Sequence, residues 1–532
     1  MNLLRCRRCF LSGFLAILWI LGGGQALGQE LPGKQWDRAD LLPVEHIARS
    51  SISNLHAEGD TLWVGPALDL TTNRGETWHR ADLDSLEGRH RVYSLDVEGS
   101  VVWAGLGYAQ ETDGTEETTP TAGGFVYSID GGQTWNHRPP PLDDRSDSTE
   151  TYGASVLPAL PVVVPQQSPP YDIDYDRRTG TVWTAGWASG LRVSNDSGET
   201  WDRVVLPPDT LDALHPDSSY SFPVGPQRTA GEQANNYLGF SVLVDEVGTV
   251  WAGTAAGLNR STHGVFSPVD SMAWQRFSFG GSPGNLVSNW IISIEEQPVR
   301  GIRNPVWMAT WPTNISGEQY GVTVTRDGGE TFETVLTGDK VNDLAFRGDT
   351  VLAASERGLM LSANAGDTWR IIRNFRLHPE SDAVVRPDVS ALSVATTPAA
   401  IWVGTNDGLL RSTDGGQRWK VFRPSVPTSP QPPTDRQPRV DTYAYPNPYS
   451  PGKDGYVRIR YDLETAGNVR VRIFDFGMNP VATVADERQA AGAREKVWDG
   501  TTGRGDLVAN GTYLYAVETP EDTYWGKILV LR

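Results

Sequence analysis

Carboxylates are plentiful in this 532-residue chain, and their spacing decides which chemistry is open to them. Sixty-five acidic residues stand against 46 basic ones, for a formal net charge of −19. Glycoside cleavage asks for two carboxylates held at a fixed separation of roughly 5–10 Å. Asp172 and Asp343, each at the start of an alternating apolar run, are the candidate pair, with Asp143 and Asp144 on a long insertion. Asp172-Ile173-Asp174-Tyr175-Asp176 supplies the first three positions of a calcium loop, but Arg177 replaces the glycine and Trp183 the bidentate glutamate. The same segment alternates Tyr171, Ile173 and Tyr175 and reads better as a strand. The eight histidines have no ligand spacing, and Cys6 and Cys9 are the only cysteines. HExxH, paired CxxC, P-loop, GxSxG and dinucleotide signatures are all missing, so we expect no metal and no cofactor.

A repeated turn must position whatever these side chains do. Ser128-Ile129-Asp130-Gly131-Gly132-Gln133-Thr134-Trp135 recurs at Thr71–Trp78, Ser194–Trp201, Thr325–Phe332, Ser362–Trp369 and Ser412–Trp419. A worn copy keeps Ser261, His263, Gly264 and, further on, Trp274. The third residue (Asn73, Asp130, Asp196, Asp327, Asn364 or Asp414) folds back onto backbone N–H groups, while a glycine supplies positive φ. Upstream of most copies stands a tryptophan followed by apolar and small residues, as in Leu62-Trp63-Val64-Gly65 and Ile401-Trp402-Val403-Gly404. Alternating runs flank it, so one unit is four strands, A to D, with the box joining C to D. Twelve of the 19 tryptophans occupy just the B and D positions, which makes most of them structural. Seven units predict an all-β chain whose body, residues 50–423, is a seven-bladed β-propeller.

Strand parity then assigns the ends. C–D boxes and A–B turns leave a blade at one end, B–C turns and D–A connections at the other. The long insertions Ala109–Ala122, Trp311–Tyr320, Arg138–Pro170 and Pro207–Asn236 all leave at the end opposite the boxes, which marks it as the binding face. Tyr108, Trp187 and Trp311 stand where B–C turns leave the sheet, and Trp290 opens an A strand. Indoles around a polar cleft stack sugar faces or grip peptide side chains, and these four are the candidate ligand-binding residues. The alternative is that each indole covers a neighbouring blade.

The boxes resemble the Asp-box, or bacterial neuraminidase repeat, of sialidases, xyloglucanases, sortilin-type receptors and photosystem II assembly factors. That resemblance implies the propeller but not one activity, because the box is a turn and its owners do unrelated things. The arginine triad expected of a sialidase, with its early Arg-Ile-Pro, has no counterpart; Ile302-Arg303-Asn304-Pro305 has the wrong place and order. Xyloglucanases resemble two propellers clasping their substrate, and one is present here.

At the ends, residues 1–28 read as an export signal, with Arg5, Arg7 and Arg8 before the apolar run Phe10–Leu21 and small residues at Ala26-Leu27-Gly28. Both cysteines fall inside it, and no integral membrane segment is expected once it is removed. Residues 29–49 form an N-terminal arm in which Gln35-Trp36-Asp37-Arg38-Ala39-Asp40-Leu41 repeats the wording of Thr77–Leu83; either it packs as an arm or it joins the last blade and closes the ring. Residues 424–440 are a Pro-rich linker. Residues 441–532 alternate as a small Ig-like β-sandwich, with strands expected at Val457–Leu463, Asn468–Asp475, Val481–Val484, Glu495–Trp498, Thr512–Glu518 and Trp525–Leu531. Tyr445-Pro446-Asn447-Pro448, Val497-Trp498-Asp499-Gly500, Gly511–Tyr515 and the ending Lys527–Arg532 resemble the flagellar hook-capping-type Ig-like domain used for C-terminal sorting in type IX secretion. The resemblance implies the outer-membrane secretion machinery as a partner.

Such an acidic chain repels nucleic acid and anionic membrane. The reading that follows is an exported or cell-surface propeller that binds a polysaccharide or protein ligand. The alternatives are a secreted glycoside hydrolase using Asp172 and Asp343, and a photosystem II assembly or stability factor-like protein.

Overall fold

The computed structural model describes residues 41–532 except 84–89, 113–116, 227–233, 262–263, 282–285, 300, 302, 379–382, 387 and 425–441. The expected leader, nearly all of the strand expected at 35–41 and nearly all of the linker lie outside these residues. The chain falls into two compact units: Met1–Arg373 with Val389–Thr413 and Phe422–Pro424, and Asn374–Asp388 with Asp414–Val421 and Ser425–Arg532.

Seven sheets of four or five antiparallel strands follow one another as blades 1 to 7. Their A strands are Leu55–Glu58, Arg91–Glu98, Pro170–Asp176, Gly239–Val244, Trp290–Glu296, Val341–Arg347 and Ala391–Thr397. Each B strand brings a bulky residue into the core, and the B-strand tryptophans Trp63, Trp103, Trp183, Trp251, Trp307 and Trp402 are all buried. Blade 6 has Leu352 at that position, equally buried.

The boxes fold as their residue types require. In blade 2 the Asp130 carboxylate accepts the N–H and the hydroxyl of Thr134, at 2.9 and 2.6 Å, while Ser128 Oγ accepts the N–H of Gly132 at 2.8 Å. Asn73, Asp196, Asp327 and Asn364 repeat the carboxylate or amide bond to the N–H four residues on, and Asp414 does so with Arg418. The box glycine is required by contact as well as by φ. A Cβ on Gly132 would lie 2.4 Å from the Trp63 ring of the preceding blade, and one on Gly366 2.9 Å from Trp307. Box and indole thus form one blade-to-blade joint. Boxes and A–B turns share an end, since Gly131 N donates to Ser100 O and Ala365 N to Asp349 O.

Two expectations change. The described part of the N-terminal arm, Leu41–Val44, pairs with Trp78–Ala81 as a fifth, outermost strand of blade 1. Ile52 N donates to Thr405 O and Gly408 N to Ser50 O, joining blade 7 to the lead-in of blade 1. The insertions also do not all gather at the end opposite the boxes. Arg138–Pro170 leaves there, but its hairpin, Thr149–Tyr152 with Ser155–Pro158, reaches the C–D connection of blade 4: Tyr152 Oη donates to Met272 O and Gly153 N to Asp270 O. Pro207–Asn236 contributes Ala213–Leu214, which pairs with Trp274–Phe277 as an outermost strand of blade 4. Buried apolar surface explains both: Tyr152, Leu157 and Leu214 enter the core shared by blades 3 and 4.

The second unit carries a two-sheet sandwich. Thr442–Tyr445, Val457–Leu463 and Gly492–Trp498 form one sheet; Pro480–Gln489, Gly467–Phe474, Gly511–Glu518 and Thr523–Val530 form the other. Alternate residues such as Ile459, Tyr461, Val471, Ile473, Tyr515 and Ile528 fill the space between them. Six of these strands are the expected ones: Val457–Leu463 has the same limits, Pro480–Gln489, Gly492–Trp498 and Gly511–Glu518 are longer, and Gly467–Phe474 and Thr523–Val530 are shifted toward the N-terminus.

Candidate functional site

The A strands share a detail that positions every candidate in the channel they surround. In blades 2 to 7 the A–B register slips by one residue, at Tyr93, Tyr171, Phe240, Ile292, Asn342 and Leu392, a β-bulge repeated around the ring. The residue after each bulge is Ser94, Asp172, Ser241, Ser293, Asp343 or Ser393. Most of these reach across to the next blade. Ser94 Oγ donates to Pro170 O at 2.9 Å, Ser241 Oγ to Ile291 O at 3.0 Å and Ser393 Oγ to Ile52 O at 3.1 Å. Asn54, in the lead-in of blade 1, donates to Tyr93 O at 2.7 Å.

Asp172 and Asp343, the expected catalytic pair, belong to this series. Asp172 accepts the N–H of Val242 at 2.9 Å, and Asp343 accepts that of Val394 at 2.8 Å. The innermost strand of a blade has an unpaired edge, and these carboxylates satisfy its donors as the serines satisfy its acceptors. Asp174 continues the ladder to Val244 N, and Asp96 to Tyr175 N. Burial in the channel wall raises Asp172 and Asp343 to about 7, outweighing the backbone hydrogen bonds that favour the charged form. Asp174 and Glu295 are pushed well above the usual carboxylate range, by burial first and then by repulsion from neighbouring acids. Among the described residues, no three His, Cys, Asp or Glu side chains are grouped to hold a metal ion.

The aromatic candidates separate on inspection. Trp187 is 8% exposed and packed against Phe240 and Trp290, with ring centroids 5.3 and 6.3 Å away. Trp311 gives its Nε1–H to Val341 O of the next blade at 2.7 Å, and Lys340 covers its ring at 4.3 Å. Tyr108 meets His90 edge-on at 5.1 Å. Trp290 stays half-exposed and ends a run of rings that sequence reasoning missed. Tyr93 lies 6.3 Å from Tyr171, Tyr171 6.2 Å from Phe240, and Phe240 5.5 Å from Trp290. This run crosses the A-strand starts of blades 2 to 5 at the channel mouth opposite the boxes. Arg91 lies over the Tyr93 ring at 4.8 Å. The signal for the missed rings was an aromatic residue directly before the Ser or Asp that follows the bulge, seen only once the blades are aligned on that residue. The insertion acid Asp143 is not catalytic in arrangement: it pairs with the buried Arg192 at 2.5 Å and with Arg203 at 2.7 Å, and accepts Val162 N.

Fold and site therefore define an Asp-box β-propeller followed by an Ig-like domain. Residues 126–137 match the model of the BNR/Asp-box repeat and residues 449–522 that of the FlgD Ig-like domain. No curated protein matches the chain. Among solved structures it is similar to PorZ, an essential bacterial surface component of the type-IX secretion system of Porphyromonas gingivalis, at 13% identity and a TM-score of 0.41, over 91% of this chain and 66% of that one. It is also similar to YCF48 from Cyanidioschyzon merolae, at 17% identity and a TM-score of 0.40, over 71% of this chain and 98% of that one. No helix among the described residues is long and apolar enough to cross a membrane.

Proposed function

We propose that this chain is an exported or cell-surface binding protein whose propeller takes a glycan or protein ligand at the channel mouth opposite the boxes. The observation that carries this reading is the run of rings Tyr93, Tyr171, Phe240 and Trp290, in which Tyr93, Tyr171 and Trp290 remain half-exposed. Contiguous aromatic faces beside a polar channel suit stacking on a sugar or on apolar peptide side chains. Catalysis is disfavoured because Asp172 and Asp343 each spend one oxygen on a backbone donor of the next blade and the other on the N–H of Ile173 or Leu344 in their own strand. In this reading the leader and the Ig-like domain serve export, the latter as a sorting domain for type IX secretion.

The test uses the purified chain on a polysaccharide panel and a random peptide display, reading bound protein and released reducing sugar together. Binding that falls at least tenfold in Tyr93→Ala with Trp290→Ala, without sugar release, is the expected outcome. Undiminished binding in that variant removes the aromatic platform. Sugar release that disappears in Asp172→Asn or Asp343→Asn makes the protein a glycoside hydrolase.

A further inference from the structure

The joint between blades 3 and 4 departs from those between blades 1 and 2, 2 and 3, 4 and 5, and 5 and 6. The box glycines Gly132, Gly198, Gly329 and Gly366 sit on the indoles of the preceding blades, Trp63, Trp103, Trp251 and Trp307. Blade 4 carries the worn box. Its Gly264 packs against Gly248 O instead of Trp183, and Ser261 Oγ accepts Val250 N within the sheet. The C–D connection swings away, with a 3-10 turn at Val269–Ser271, and a cleft of about 480 Å³ opens between it and the blade-3 sheet. The hairpin of the Arg138–Pro170 insertion forms the remaining wall through Glu150 and Thr151.

The chemistry of the walls is specific. Glu150, Asp202 and Asp270 approach from three different elements, against the single guanidinium of Arg203. Asp143 already holds one nitrogen of Arg203 and Glu150 approaches its Nη1 at 3.5 Å, yet its Nε–H has no hydrogen-bond acceptor although its side chain is only 3% exposed. A buried donor without an acceptor is costly, and a ligand oxygen or a water it orders would relieve it. Val193, Val205 and Val265 supply apolar lining. Beside the cleft, Val156 (69% exposed) shares the face of the hairpin that carries Thr151, and Phe266 (66% exposed) follows Val265.

We infer that this cleft, independent of the channel mouth, is a docking site for an extended peptide segment that places a lysine or arginine side chain among Glu150, Asp202 and Asp270. The peptide's carbonyl groups supply the acceptor that Arg203 Nε lacks, and its apolar neighbours cover Val156 and Phe266. Three acids around an apolar floor favour a cation on a long aliphatic stem. The exposed apolar pair outside the cleft favours a peptide over an amino sugar, which would leave that pair in water.

The test is calorimetric titration of the full chain with acetyl-Val-Arg-Val-amide, its citrulline analogue and glucosamine. The arginine peptide is expected to bind at about 1 mM or tighter, and the citrulline analogue about tenfold more weakly. Asp202→Asn with Asp270→Asn, both exposed positions, is expected to weaken the peptide about tenfold at an unchanged melting temperature, and 0.5 M salt to weaken it on the order of threefold. Val156→Ser with Phe266→Ser provides a second variant that leaves every charge in place, with an expected loss of about threefold. Tyr93→Ala with Trp290→Ala is expected to leave this binding untouched. Equal affinity for the citrulline peptide, no loss in either cleft variant, no peptide binding, or tighter binding of glucosamine overturns the assignment.

Discussion

Ser393 donates its hydroxyl hydrogen to the carbonyl oxygen of Ile52, 3.1 Å away and 341 residues earlier in the chain. That bond belongs to a series in which the residue after the inner-strand bulge holds the next blade in blades 2, 3, 4, 6 and 7. Its partner across the A–B pair is correspondingly small. Ser94, Ser241 and Ser393 face Gly105, Gly253 and Gly404, whereas Asp172 and Asp343 face Ala185 and Ala354.

The first prediction concerns this clasp. A Cβ on Gly404 would lie 2.3 Å from Ser393 Oγ and 2.5 Å from Ile52 O. Gly404→Ala is therefore expected to destabilise the propeller by about 1–3 kcal/mol, through overpacking at the seam between blades 7 and 1. Ser393→Ala removes one hydrogen bond and is expected to cost about 1 kcal/mol. Urea unfolding monitored by tryptophan fluorescence measures both, and a Gly404→Ala protein as stable as the parent would show that the seam relaxes freely.

The channel acids set a pH dependence whose sign follows from their direction. Asp172 and Asp343 titrate near 7 in the folded protein and in the ordinary carboxylate range when unfolded, so folding favours their protonated forms. Their contribution is fully present below about pH 4 and is lost as pH rises through about 7. The melting temperature is expected to fall between pH 5 and pH 8, and Asp172→Asn with Asp343→Asn to flatten that slope. A parent protein whose melting temperature rises over the same interval would contradict the burial assigned to these groups.

The boxes act in the opposite sense at lower pH. Burial, the largest single influence, raises Asp327, but the hydrogen bonds from Thr331, Thr325 and the turn together outweigh it and hold it down to about 2. Its contribution is present above about pH 4 and disappears as pH falls toward 2. Asp327→Ala is expected to lower stability near neutrality by about 1–2 kcal/mol, with the difference from the parent shrinking at pH 2 to 3. Parallel denaturant titrations at the two pH values measure it.

The ion pairs beneath the insertion form a unit. Asp143 lies between Arg192 and Arg203, with all three side chains buried, and its removal takes the nearest carboxylate from both guanidinium groups. Asp143→Ala is expected to cost about 3–5 kcal/mol and to open the hairpin Thr149–Pro158 to proteolysis. A protease-resistant variant of normal stability would mean that water replaces the carboxylate.

Much of this was legible in the chain because it is local. Box, turn glycine and B-strand tryptophan lie within a few residues of the bonds they make, so blade number, strand order and the end that carries the boxes could be counted from spacing alone. The alternation of the last ninety or so residues marked the strands of the Ig-like sandwich for the same reason. Partners across blades were not legible. Asp172 reads as a free carboxylate in sequence and becomes a clasp only when Val242 lies beside it. Trp187 reads as an open platform and is closed by Phe240 and Trp290. Arg138–Pro170 reads as a rim insertion, yet Tyr152 finds its core 120 residues away at Met272. Turn chemistry and side-chain period fix the blade; the burial of surface between blades, set by residues far apart in the chain, decided which side chains remain free to meet a ligand.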